Sequence, residues 1–185
     1  MAAEGRNEAT PAGRGRALAV VSGGQTGVDR AALDAALELG LPCGGWCPRG
    51  RRAEDGPIPA AYPLKETPSA EYPERTTWNV RDSDATLILH AGRVDRGTAL
   101  TERIAARRGR PVLRLDVRTA TASGLAEWIQ AVGIARLNVA GPRESRSPGI
   151  YESARRLLLE AWARVAPPAG SRTRGGRADQ RLPSQ

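Results

Sequence analysis

The 185-residue sequence predicts an α/β protein built on a doubly wound, mostly parallel β-sheet with helices on both faces. Two observations carry that expectation. Short apolar runs alternate with amphipathic segments along the chain, which is the pattern of repeated strand–helix units that pair their strands in parallel. Three of the apolar runs end in a glycine-plus-polar turn, at Gly23, Gly97 and Gly141. In such a sheet these turns emerge along one edge, where open α/β sheets bind their ligands.

The first unit is the most informative. Residues 18–21 read as a strand, Ser22-Gly23-Gly24-Gln25-Thr26-Gly27 as a turn, and the segment beyond as a helix that Gly40 ends. Val28, Ala31, Ala32, Ala35 and Leu39 share one face of that helix. Paired glycines let the backbone approach a ligand closely, and the first amides of a helix have no intrahelical acceptor. The turn is therefore a candidate anion cradle. Thr26 suits the N-cap, with Asp29 three residues on as the partner in a capping box. Asp29 is also suited to accept hydrogen bonds from the ring N–H groups of a ligand. The turn has neither the lysine of G-x-x-x-x-G-K-S/T nor the spacing of G-x-G-x-x-G, so neither common nucleotide fingerprint applies.

Residues 41–47 form the second strand and lead into WCPRGRRAEDGPIP, a loop with too much Pro and Gly for helix or strand. Arg49, Arg51 and Arg52 gather there around Gly50, a composition that matches a phosphate-binding lid. The chain stays irregular over 62–73. A helix is expected at 74–82, a buried strand at 85–90, and a helix at 99–108 opened by Arg96-Gly97-Thr98. Then come a strand at 111–115, a helix at 122–132 and a strand at 134–140 that ends in Gly141-Pro142-Arg143-Glu144-Ser145. A helix at 149–165 closes the domain, which spans 17–166.

Composition sets the remaining limits. The tails, 1–16 and 167–185, are poor in large apolar residues and are expected to be disordered. They also hold about half of the net charge of +8: four arginines stand against Asp179 in 171–185, and three against Glu4 and Glu8 in 1–16. With that charge in the tails and no reading motif beside it, no specific nucleic-acid partner is expected. Cys43, Cys47 and His90 are the only residues of their types, too few for a structural zinc site, so reduced thiols and no metal site are expected. His90 stands at the carboxyl end of its strand without a visible partner. No stretch matches a signal peptide or a membrane span, which points to the cytoplasm.

SGGQTGVDRAALD, GWCPRGRRAEDG, RTTWNVRDSDATLI and LNVAGPRESRSPGIY occur in this order, and with them the chain resembles the molybdenum cofactor carrier family from Leu18 to about Val165. That family is similar to the wider group of lysine-decarboxylase-like (LOG) phosphoribohydrolases. The resemblance implies a Rossmann-like three-layer fold and a phosphate-bearing pterin or nucleotide-like ligand, with molybdenum cofactor as cargo. It also implies molybdoenzymes as recipients and a homo-oligomer, dimer or tetramer. By position, Ser22, Gly23, Gly24, Gln25, Thr26 and Gly27 would hold the phosphate by backbone amides, and Arg49, Arg51 and Arg52 would close over it. Gly97, Thr98 and Thr101 would form a second wall, and Asn138, Arg143, Glu144 and Ser145 a third. Asp29 or Glu144 would face the N–H edge of a pterin.

Two alternatives follow from the same resemblance. The phosphoribohydrolases carry an arginine nine positions before the aspartate that leads the central strand, as Arg75 precedes Asp84. Their next motif, P-G-G-x-G-T-x-x-E, supplies a catalytic glutamate. Here Thr101 holds that position and Glu102 comes one residue late, which on a helix turns the side chain by about 100°. Binding is therefore expected over hydrolysis of nucleoside monophosphates, since a base must lie within hydrogen-bond reach. A nucleotide-sensing module, with the same pocket and no chemistry, is the third class.

Overall fold

A computed structural model of the protein describes residues 17–92 and 96–165. Its elements in chain order are β1 (Ala19–Val21), α1 (Val28–Glu38), β2 (Cys43–Cys47), β3 (Arg52–Ala53), β4 (Gly56–Pro57), β5 (Leu64–Glu66), α2 (Tyr72–Arg81) and β6 (Ala85–His90). They continue with α3 (Arg96–Arg107), β7 (Val112–Asp116), α4 (Ala122–Val132), β8 (Arg136–Ala140) and α5 (Ile150–Val165). The expected tails lie outside the described residues. Among these residues no helix is long and apolar enough to cross a membrane.

Six strands form one sheet in the order β5-β2-β1-β8-β6-β7, and every pairing in it is parallel. Parallel neighbours need crossovers, and the helices supply them: α1, α4 and α5 pack together on one face, α2 and α3 on the other. The result is the three-layer, Rossmann-like α/β fold. Central strands in such a sheet are covered on both faces and read as continuous apolar runs. In β6 the first five residues are all buried. Val20, Leu87, Leu89, Leu137 and Val139 turn to the three-helix face, where they meet Ala35, Leu125, Leu158 and the fully buried Trp162.

The unit β8–α5 comes last in the chain yet fills the centre of the sheet, between β1 and β6. Moved ahead of β1, it would let the strands run outward from it in both directions. The helix after β8 lies on one face and the helix after β6 on the other, so the gap between these neighbours is the point at which an open sheet leaves a crevice.

The loop after β2 differs from expectation. It contains the antiparallel hairpin β3–β4 and the edge strand β5, both too short to show a periodic pattern. Tertiary contacts form them instead. The Arg51 guanidinium donates to the carbonyls of Ile58 (2.9 Å), Pro59 (2.8 Å), Tyr62 (3.0 Å) and Leu64 (3.1 Å), and gathers the loop around one side chain. Asp34 on α1 accepts from the Tyr62 hydroxyl at 2.9 Å and the Tyr151 hydroxyl at 2.7 Å, tying that loop and α5 to the same helix. The second helix starts at Tyr72 rather than 74, with Pro73 in its first turn, where a missing N–H removes no intrahelical bond.

Gly27 has φ +76°, and a Cβ there would lie 2.5 Å from the Pro142 carbonyl oxygen and 2.8 Å from the Glu144 nitrogen. Gly40 has φ +64° with open space around it. Gly40→Ala should therefore lower the unfolding free energy by about 1 kcal/mol, the dihedral cost alone, and Gly27→Ala by about 3 kcal/mol or more. Urea unfolding of both variants checks this, and equal losses would contradict it.

Candidate functional site

The turns after β1 and β8 and the first turn of α3 meet at the carboxyl edge of the sheet; α3 begins at Arg96 rather than 99, so Gly97 and Thr98 lie in the helix and not in a turn before it. The Ser22 hydroxyl donates to the Val139 carbonyl at 2.9 Å and holds the turn after β1 against β8. The N-cap of α1 is Gly27 and not Thr26, and no side chain caps the helix. The Thr26 hydroxyl is engaged elsewhere: it donates to the Glu54 carboxylate and accepts from the Glu144 amide at 3.3 Å. The Gln25 carbonyl oxygen Oε1 accepts the amides of Thr26 and Glu54, each at 3.0 Å. Asp29 accepts the Gln25 amide at 3.4 Å, and the Val28 amide donates to the Pro142 carbonyl at 3.3 Å. In the expected cradle the amides of Ser22, which donates to the Gly44 carbonyl at 2.9 Å, Gln25 and Thr26 are thus bonded within the protein.

The hairpin β3–β4 straps this turn from outside. Glu54 also accepts from the amide and hydroxyl of Ser145, and Asp55 takes a two-pronged contact from Arg30, at 2.5 and 2.8 Å. Burial works to raise the Glu54 carboxyl, but the hydrogen bonds from Ser145 and Thr26 outweigh it and hold the group below its ordinary value.

Beneath the turn, Asp29 is 3% exposed and pairs with Arg75 of α2, Nη1 to Oδ2 at 3.0 Å. Burial raises the Asp29 carboxyl against the opposing pull of Arg75 and the more distant Arg143. A side chain at position 23 would displace the ion pair, because a Cβ there would lie 1.9 Å from Arg75 Nη1 and 2.8 Å from Asp29 Oδ2. The lack of a side chain at this point leaves room for the ion pair.

The cleft above the pair has a volume of about 120 Å³. Gln25 and Asp29 line it from the first turn, Tyr72 and Arg75 from α2, Thr98 and Thr101 from α3, and Arg143 from the turn after β8. Two buried donors among these residues have no hydrogen-bond partner, Gln25 Nε2 and Arg75 Nε. Such groups are expensive to leave unmade. The Arg143 guanidinium lies over the Tyr72 ring at 4.7 Å, and Arg75 lies 5.9 Å from the same ring. The chemistry on offer is that of an oxyanion site, with two guanidiniums and an amide donor and Asp29 already committed to one of the cations.

Eight of the residues singled out from the sequence meet at this cleft: Gln25, Asp29, Arg75, Gly97, Thr98, Thr101, Gly141 and Arg143. The others stand elsewhere. Arg49, Arg51 and Arg52 do not line the cleft, and Arg51 is consumed by loop carbonyls. Glu144 caps α5 by accepting the amides of Gly149 and Tyr151, so of the two carboxylates expected to face a ligand only Asp29 borders the space. Ser145 binds Glu54, and Asn138 is buried within the sheet, donating to Thr86 at 3.3 Å. Glu102 points away and pairs with Arg114 at 3.5 Å, while Thr101 takes the buried position beside the cleft.

Tyr72, Pro73 and Thr76 border the cleft but were not singled out. The signal for them is the placement of Pro73, which marks a helix start and therefore an edge of the sheet. His90 is not at the cleft. Its Nδ1 is buried without a hydrogen bond, 4.0 Å from Asp116, whose carboxyl the Arg118 side chain holds well below the usual range. Burial pushes the Cys47 thiol up. Among the described residues no group of three His, Cys, Asp or Glu could hold a metal ion. A larger groove of about 390 Å³ lies at the other end of β1 and β2, lined in part by Trp46, Lys65 and Asp82, and contains none of the orphaned donors.

Comparison with known proteins agrees with the fold. The circularly permutated YpsA SLOG family matches residues 20–162. A crystal structure from Syntrophus aciditrophicus SB, of a protein designated by name a molybdenum carrier, superposes with a TM-score of 0.74 at 42% identity, covering 80% of this chain and 95% of that one. No curated protein matches the chain.

Removing the Arg75 side chain leaves the Asp29 carboxylate buried without its cation. Arg75→Ala should cost about 3–5 kcal/mol of stability at neutral pH. A carboxyl whose value in the fold lies above its ordinary 3.8 favours the folded state only while protonated. That contribution is complete below 3.8 and lost as the pH rises, so the deficit of Arg75→Ala should shrink as the pH is lowered from 7 toward 4. Denaturant titrations across that range check the trend, and a deficit that does not change with pH would contradict it.

Proposed function

We infer, since the chain belongs to the circularly permutated YpsA SLOG family, that its cleft binds the anionic end of a phosphate-bearing pterin or nucleotide-like ligand and carries it without turnover. The observation that supports this reading is the pair of orphaned buried donors, Gln25 Nε2 and Arg75 Nε, on the wall of a space that Arg143 also borders. A bound oxyanion would supply both with the acceptor they lack, and charge-assisted bonds of this kind are the strong ones. The volume of about 120 Å³ falls below the roughly 300–1,000 Å³ of complete small-molecule sites. It suits an end group such as a phosphate, with the rest of the ligand extending outward.

The name of the Syntrophus protein makes molybdenum cofactor the leading cargo. The residues present suit that group at its phosphate end. In this reading molybdenum travels on the pterin, and molybdoenzymes are the recipients. Glu102, turned outward to Arg114, argues against hydrolysis, because no carboxylate stands where the glutamate of the phosphoribohydrolases would act.

The experiment is to purify the full chain under non-denaturing conditions and to identify its cargo by native mass spectrometry and metal analysis. Gly23→Ala serves as the comparison. Its Cβ strikes the far end of the Arg75 side chain and displaces the guanidinium, and near-ultraviolet circular dichroism checks that the variant is folded before its cargo is compared. The wild type should retain a phosphate-bearing pterin or nucleotide that Gly23→Ala has lost, and release no free base from nucleoside monophosphates. Steady release of base that Arg75→Ala abolishes would replace carriage with hydrolysis.

A further inference from the structure

We propose that Tyr72 is a positioning residue of this cleft, holding the Arg143 guanidinium in place and so setting the site's preference for an anionic ligand group. The proposal deepens the binding reading above and rests on it.

Arg143 is the cation whose placement most needs explaining. It stands in the turn after β8, half-buried, and no carboxylate pairs with it among the described residues. Arg75, in contrast, is anchored by Asp29. A free arginine side chain samples many rotamers, and ordering it on ligand arrival weakens binding. The contact that fixes Arg143 is the face of Tyr72, 4.7 Å from the guanidinium carbon. That ring is itself well placed. It begins α2, and Pro73 in the first turn restricts the backbone beside it.

The same ring lies 5.9 Å from Arg75. One aromatic side chain therefore attends both guanidiniums of the cleft, and the negative face of its π-system favours cations near it. Two positive groups are held toward one small space with a single carboxylate between them. A group with two negative oxygens can use both, and a neutral group can use neither fully. The phenolic oxygen makes no hydrogen bond in the structure among the described residues, so the ring carries the role.

The test is calorimetric titration of the full chain with inorganic phosphate and with molybdate. Wild type is compared with Tyr72→Leu, Tyr72→Phe, Arg143→Gln and the double variant Tyr72→Leu/Arg143→Gln. Tyr72→Leu should bind about 5- to 30-fold more weakly, the range a cation–π contact supports, and Tyr72→Phe should recover most of that loss. The double variant should bind about as weakly as Arg143→Gln alone, because Tyr72 acts through Arg143. Binding by Tyr72→Leu at wild-type strength overturns the proposal, as does a double variant whose loss is the product of the two single losses. If the wild type takes up neither anion, the binding reading itself fails along with it. A Tyr72→Leu chain that has lost its fold is recognised by its near-ultraviolet circular dichroism, and the comparison of Tyr72→Phe with Tyr72→Ile then decides the same question.

Discussion

The buried ion pair between Asp29 and Arg75 is the contact on which the carboxyl edge of the sheet depends. It joins the first turn of α1 to α2, which approaches from the opposite face, and it does so at a point where neither charge can be left alone. Coulomb attraction at 3.0 Å is set against the desolvation of both groups, and buried pairs of this kind are weak evidence for stability. Their use here is placement. With Nη1 held by Asp29, the rest of the Arg75 guanidinium is oriented and its Nε is left without a partner. Gly23 is bare because the pair fills the space of its side chain, and Gly27 takes a left-handed turn because the turn after β8 presses on it.

Around that pair the loops are tied to one another more than to any open space. Glu54 and Asp55 strap the glycine turn through Thr26, Ser145 and Arg30. Gln25 spends its carbonyl oxygen on the same network and keeps its amide nitrogen unbonded. In the glycine turn Ser22, Gln25 and Thr26 spend their amides within the protein, and the orphaned donors on the cleft are side chains. That division explains how a chain with a phosphate-loop look can lack both common fingerprints. The helix that would carry a catalytic carboxylate presents Thr101 inward and Glu102 outward, a consequence of one residue in the helical repeat.

Much of this was legible in the sequence where the signal was local. β6 declares itself by the apolar run that follows Asp84, and α4 by its periodicity. The convergence of the glycine turns after β1 and β8 follows from parallel topology alone, while Gly97, expected in a third turn, lies inside α3. The three-residue β5 and the two-residue strands of the hairpin did not show, because strands so short have no period and are made by Arg51 and the edge of β2. For the same reason the arginine cluster at 49–52 looked like a lid. A guanidinium that binds carbonyls and one that awaits an anion have the same letter. Asp29 was identified, but its partner depends on where α2 crosses the sheet, and Tyr72 became a wall of the cleft only through that crossing.

Crystals of the protein soaked with tungstate test the central claim most directly, since the anomalous signal of tungsten locates an oxyanion without assumptions about the ligand. The account predicts density in the cleft, with oxygens within hydrogen-bond distance of Gln25 Nε2 and Arg75 Nε and with Arg143 alongside. Tungstate bound at Arg49 or Arg52, with the cleft empty at saturating concentration, would contradict it.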